Sequence, residues 1–178
     1  MVVHCGELEH VIRRLWDPGV GGPGDEVAAV ARDLADLEPE LAVRLSASIE
    51  ELWLAERSIG YVCRSRRGAI ARVLVLSRIL PRSVSPARHL VGHALCDLDG
   101  LDETPQWRAI ARLCRTKAGI RSWPVSPRDW WAESFARRDA GPLAELFGDD
   151  RRLSKIVMEY HRQIVRDYVM RLNFSGEQ

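Results

Sequence analysis

Lysine is almost missing from this chain of 178 residues: of 26 basic residues only Lys117 and Lys155 are lysine, and the rest are arginine. That bias is read as the mark of a GC-rich genome rather than a selected role for guanidinium. Net charge is nearly absent too, with 26 basic residues against 25 acidic. A globally basic nucleic-acid binder and an acidic solubilising protein are both excluded. Cysteine is sparse: Cys5, Cys63, Cys96 and Cys114 form no CxxC pair, so reduced thiols and a cytoplasmic setting are expected. Long apolar runs are also lacking. The most apolar stretch, Ala69 to Leu80, is interrupted by Arg72 and Arg78 and falls short of a membrane span, so no membrane association is expected. The opening residues carry no basic region, apolar core or small-residue cleavage site, and no signal peptide is expected.

What is present suits one domain of ordinary size. A chain of this length buries roughly 70% of its unfolded surface, so it needs neither disulfides nor a metal in order to fold. Its composition, 46% apolar and 29% charged, is that of a globular protein. The neutral average hides two opposed blocks: residues 1–60 hold five Arg against twelve acids, and residues 61–88 hold seven Arg and no acid. The Gly/Pro loop Pro18–Gly24 sets off residues 1–24, with a short helical piece from Leu8 to Trp16, from residues 25–178. A helix to Leu37 is expected after Asp25. Another is expected from Pro39, with Leu41, Leu45, Ile49 and Leu52 on one stripe. Residues 59–64 and 69–76, joined by Ser65-Arg-Arg-Gly68, read as a β-hairpin. Ser85-Pro86, Thr104-Pro105 and Ser126-Pro127 each pair an N-cap residue with proline at the first helical position. A last helix is expected over about 151–172, with Leu153, Ile156, Val157, Tyr160 and Ile164 on one side. The expected class is α+β: mostly helical, with a small β-hairpin or sheet before the helix that starts at Ser85-Pro86.

That helix carries the cluster with chemical content, His89-Leu-Val-Gly-His93. A separation of four residues puts both imidazoles on one face, one turn apart, the spacing at which a helix offers two ligands to a metal. The plain structural alternative is a half-exposed His pair of no special role. A second helix follows at Pro127, with Asp129 and Glu133 one turn apart. Two His and a carboxylate make a catalytic type of zinc ligand set, with the fourth position left to water. Asp129 has a structural reading as well, because Ser126-x-x-Asp129 is close to a capping box.

With these residues in place, a resemblance emerges. Ser85-Pro-Ala-Arg-His-Leu-Val-Gly-His-Ala-Leu, then Gln106-Trp107 and Val125-Ser-Pro-Arg-Asp-Trp-Trp-Ala-Glu-Ser-Phe-Ala, resembles the catalytic domain of anthrax lethal factor-like zinc metallopeptidases over about residues 40–140. The resemblance implies a zincin-like domain over residues 25–178 and zinc as the cofactor. It also implies His89, His93 and Asp129 as metal ligands; Glu133, one turn on from Asp129, and Asp99, ten residues after His89, are weaker candidates by their spacing. The HExxH motif is degenerate. Leu90 stands where the family has its general-base Glu, and an alkyl group takes no proton from a metal-bound water. The family's helper Tyr falls on Ser122, beside Trp123. Cys96 lies three residues past His93 and offers a thiolate for a closed, structural site.

The expected function is therefore a zincin-like protein without peptidase activity, acting as a binding or regulatory module on a protein or peptide partner. One alternative is an active, divergent zinc metallopeptidase in which Glu133 replaces the base. A further alternative is nucleic-acid contact through the Arg-rich segment 64–88, which no accompanying nucleic-acid motif supports. Trp130 and Trp131 are expected to face different ways, one packing inward and the other lining a groove.

Overall fold

The computed structural model describes residues 2–5, 8–14, 34, 37–46, 51–55, 60–66, 69–77, 84–118, 124, 126–140 and 143–175. The elements are β1 (Val2–Cys5), β2 (Leu8–Arg14), α1 (Pro39–Ser46), β3 (Glu51–Ala55), β4 (Gly60–Arg66), β5 (Ala69–Ser77), α2 (Pro86–Asp99), α3 (Pro105–Ala118), α4 (Pro127–Ala140) and α5 (Arg151–Ser175). Short 3-10 turns at Leu101–Glu103 and Leu143–Phe147 connect the later helices.

The packed body is helical, and this corrects the α+β expectation. Of the residues whose side chains are described, 87% are helical and none lies in a strand; every residue of the described core comes from a helix or a turn between helices. The strands are described by backbone pairing alone, and that pairing is not the small hairpin read from the sequence. It joins five segments in the order β1-β2-β3-β5-β4, with parallel pairing at β2–β3 and β3–β5. Two expected helical stretches are strand instead. Leu8–Arg14 carries the β-branched pair Val11 and Ile12, and Glu51–Ala55 holds the unbroken run Leu52-Trp53-Leu54. The helix from Pro39 is described to Ser46, with Leu41 and Leu45 of its expected stripe buried; Ile49 lies outside the described residues. The expected helix after Asp25 and the loop 18–24 lie largely or wholly outside the described residues.

Local chemistry sets the helix ends. Ser85 caps α2 by accepting from Arg88 N, and Gly100 closes it in the left-handed region at φ 64°, donating its N–H to Cys96 O at 2.8 Å. Thr104 Oγ1 accepts from Trp107 N at the start of α3. At α4, Ser126 Oγ accepts from Asp129 N, while Asp129 Oδ2 accepts from Ser126 N, the reciprocal arrangement of a capping box. Asp150 Oδ1 accepts from Arg152 N and Leu153 N at the start of α5.

The core is built around α4. Residues 130–136 are all buried, so this helix is covered on every side, as a central helix must be. Trp130 stacks on Phe147, and Trp131 stacks on Phe135 with Trp107 and His161 at its edges. The expected split between an inward and a groove-facing tryptophan is therefore wrong, because α4 has no solvent face along this stretch. On α5, Leu153, Val157 and Tyr160 are buried, whereas Ile156 is exposed. Helices α2 and α4 come close at Gly92: a Cβ there would lie 2.7 Å from Ala132 Cα.

His161 is a titratable group sealed in this core, at 1% exposure. Its ring is walled by Trp107, Trp131, Phe135 and Tyr160. Ser134 Oγ, which donates to Trp131 O, lies 2.8 Å from His161 Nε2, so the ring is the donor there and Nδ1 is left without a partner. Burial, reinforced by the positive charge of Arg138, lowers its pKa to about 3.

Two predictions follow from this packing. Gly92→Ala forces α2 and α4 apart and should cost about 1–3 kcal/mol in urea denaturation; an unchanged midpoint would contradict the close approach. Acid should destabilise the fold through His161, because a folded-state pKa below the unfolded value means the unfolded chain binds the extra proton. That contribution is complete above about pH 6.5 and is lost as pH falls towards about 3, at no more than roughly 1.4 kcal/mol per pH unit. His161→Phe should flatten the fall in stability between pH 6.5 and 5, and an equal slope in both proteins would refute the assignment.

Candidate functional site

The site lies where α2 faces α4. Gly92 lets the two helices approach at Ala132, and the residues beside and one turn before that contact meet across it. From α2 come His89 and His93; from α4 come Asp129, Glu133 and Arg137. His89 Nε2 and His93 Nε2 are 3.1 Å apart, with the rings nearly perpendicular at 78°. His93 Nε2 is 3.6 Å from Asp129 Oδ1. On the other side of the first ring, His89 Nδ1 lies 3.1 Å from Glu133 Oε2. Glu133 Oε1 accepts from Arg137 Nε at 2.8 Å.

These contacts define protons as well as positions. Glu133 is fully buried between a guanidinium and an imidazole, so as a carboxylate it accepts from both, and His89 carries its proton on Nδ1. The lone pair on His89 Nε2 then points at His93 Nε2. Two such nitrogens come within 3.1 Å only when a cation sits with them or when one carries the shared proton. Here the metal-free form is His93 Nε2–H donating to His89 Nε2. Burial is the main reason His93's pKa is lowered to about 4, with His89 adding to the effect and Asp129 opposing it. His93 is neutral at pH 7, the form that binds metals.

The candidates from the sequence separate cleanly. His89 and His93 converge, and Asp129 is beside them with its oxygens divided: Oδ2 caps α4, and Oδ1 faces His93. Glu133 lies behind His89, not beside the open nitrogens. Asp99 is elsewhere, held by Arg44 Nη2 at 2.7 Å and Arg44 Nε at 3.2 Å and accepting from Tyr168 OH. Burial alone would raise the pKa of Asp99, but these hydrogen bonds outweigh it and hold the carboxyl below the usual range. Cys96 is 1% exposed and beside Asp102. Burial, and then the Asp102 charge, push its thiol well above the ordinary range, so it is a poor source of thiolate. Leu90 is 2% exposed and part of the core. Ser122 and Trp123 lie outside the described residues, as do the side chains of the Arg-rich segment up to Arg82. Arg88 is 3% exposed and presents no surface for a phosphate.

Among the described residues, no group of three or more His, Cys, Asp or Glu side chains is assembled as a metal site. What exists is a converged His pair with a carboxylate oxygen just beyond hydrogen-bonding distance. Arg137 and Arg128 were not singled out in the sequence, although the separation of four residues between Glu133 and Arg137 is a signal for an ion pair on one helix face. No family model matches the chain, and no curated protein matches it.

Proposed function

We propose that the α2–α4 face is a divalent-metal site, with zinc the best-suited ion, and that it binds rather than hydrolyses. The observation that carries this reading is the approach of His89 Nε2 to His93 Nε2 at 3.1 Å, with a buried carboxylate behind His89. Zinc held by two imidazoles and a carboxylate is a recurrent ligand set, with metal–nitrogen distances of about 2.0–2.1 Å, and two nitrogens on one such ion stand about as far apart as these. Asp129 is the third ligand. Its Oδ2 keeps the cap with Ser126 while Oδ1 closes the remaining distance. A carboxylate accepting from the far nitrogen of a ligating His is the usual support for such a ligand; it fixes the ring and raises its basicity.

A bound metal supplies Lewis acidity and a coordination position for a ligand; hydrolysis needs a base as well. Leu90 occupies the position of the family's general base and is packed in the core. Glu133 does not replace it, since both its oxygens are engaged and it faces the opposite edge of the His89 ring. This argues against the alternative of an active peptidase with a substitute base. The protein or peptide partner remains part of the proposal as the ligand such a site would present to, and no membrane partner is invoked. Among the described residues no helix is long and apolar enough to cross a membrane.

The test is metal analysis of untagged protein after dialysis against zinc. Close to one zinc per chain is expected, falling to background in His89→Ala and His93→Ala, with no cleavage of casein by the loaded protein. Zinc retained in both variants would refute the site. Chelator-sensitive cleavage would refute the binding-only reading.

A further inference from the structure

We propose that Arg128 is an anion clamp at the mouth of the His89–His93 site, and that the ligand it recognises carries a carboxylate. This inference rests on the metal reading above and specifies what such a site would take.

Exposure rises in one direction across the site. The side chain of Glu133 is fully buried, His89 is 11% exposed, His93 20% and Asp129 24%. Arg128, next to Asp129 in the first turn of α4, is 42% exposed. The most exposed of these residues are thus Asp129 and its neighbour Arg128, in the first turn of α4. Its guanidinium is close enough to His93 to disfavour the protonated ring.

Arg128 is also held in a particular way. Its Nε donates to Asp102 Oδ2 at 3.2 Å, and the Asp102 side chain is only 12% exposed. That single bond orients the planar group. Among the described residues its Nη1 and Nη2 make no hydrogen bond. An arginine anchored through Nε and open at both terminal nitrogens presents a two-pronged fork, whose geometry matches the two oxygens of a carboxylate or of a phosphate.

Charge decides between these anions. A bound dication and Arg128 bring three positive charges, and Asp129, Asp102 and Asp97, which also acts on the Arg128 guanidinium, bring three negative ones. The surroundings are then neutral, and a monoanion enters against less repulsion than a phosphate dianion. Glu133 and Arg137 cancel one another behind His89. With Leu90 in place of a base, an anion on the metal is a bound ligand and not a reacting water. The carboxylate can belong to a free small molecule or to the end of a peptide chain.

Cobalt-loaded protein tests this, because the visible bands of Co(II) report both metal occupancy and added ligands. Acetate at pH 7 should shift the bands saturably, about tenfold less tightly in Arg128→Gln and to an intermediate degree in Arg128→Lys, each compared at saturating cobalt. Inorganic phosphate should bind more weakly than acetate. Tri-alanine with a free carboxyl terminus should bind and its amide should not; tighter binding than acetate would identify a chain end, and equal binding any small carboxylate. Equal acetate affinity in wild type and Arg128→Gln would overturn the clamp while leaving the metal site standing, as would an amidated peptide that binds as well as the free one. Wild-type protein without cobalt bands would overturn the metal reading and the clamp with it.

Discussion

Glu133 has no exposure to water, and its two oxygens are divided between Arg137 Nε and His89 Nδ1. A carboxylate in that position is tolerated only while both partners hold, since removing either leaves a buried charge uncompensated at a cost of about 3–5 kcal/mol. Much of the site follows from this constraint. It places the His89 proton on Nδ1, turns Nε2 towards His93, and leaves the open face of the pair to Asp129 and Arg128. It also explains why α4 can be apolar around most of its circumference and still carry an acid at its centre.

The surrounding contacts support the same arrangement. Gly92 removes the one side chain that would keep α2 away from Ala132. Trp107 Nε1 donates to Pro127 O at 2.7 Å and ties α3 to the start of α4. Arg138 pairs with Glu38 at 2.7 Å, and Arg44 with Asp99, so the approach to α1 and its C-terminal half are clipped to α4 and to the end of α2. His93 and Asp129 keep partial exposure beside this closed core.

Much of the helical part was legible in the sequence. Ser85-Pro86, Thr104-Pro105 and Ser126-Pro127 mark helix starts through chemistry confined to a few residues, and the His89–His93 spacing needs only the period of the helix. What escaped was set by tertiary surroundings. Leu8–Arg14 and Glu51–Ala55 are short apolar stretches whose state depends on neighbours distant in sequence. The expectation that one of Trp130 and Trp131 lines a groove takes one helix face to be wet, whereas α4 is enclosed by packing that no local pattern encodes. Glu133 read equally well as a solvated acid or a spare ligand; only the approach of α2 at Gly92 puts it behind His89. Asp99 has the right separation from His89 for a ligand, and the pull of Arg44 and Tyr168 takes it elsewhere.

The central claim is that two imidazoles from α2, oriented by a buried carboxylate from α4, hold one metal ion together with Asp129. X-ray absorption at the zinc edge of the loaded protein addresses that geometry directly. The account predicts two imidazole nitrogens at about 2.0–2.1 Å with oxygen completing the shell. A shell containing sulfur, or one with fewer than two imidazoles, would contradict it.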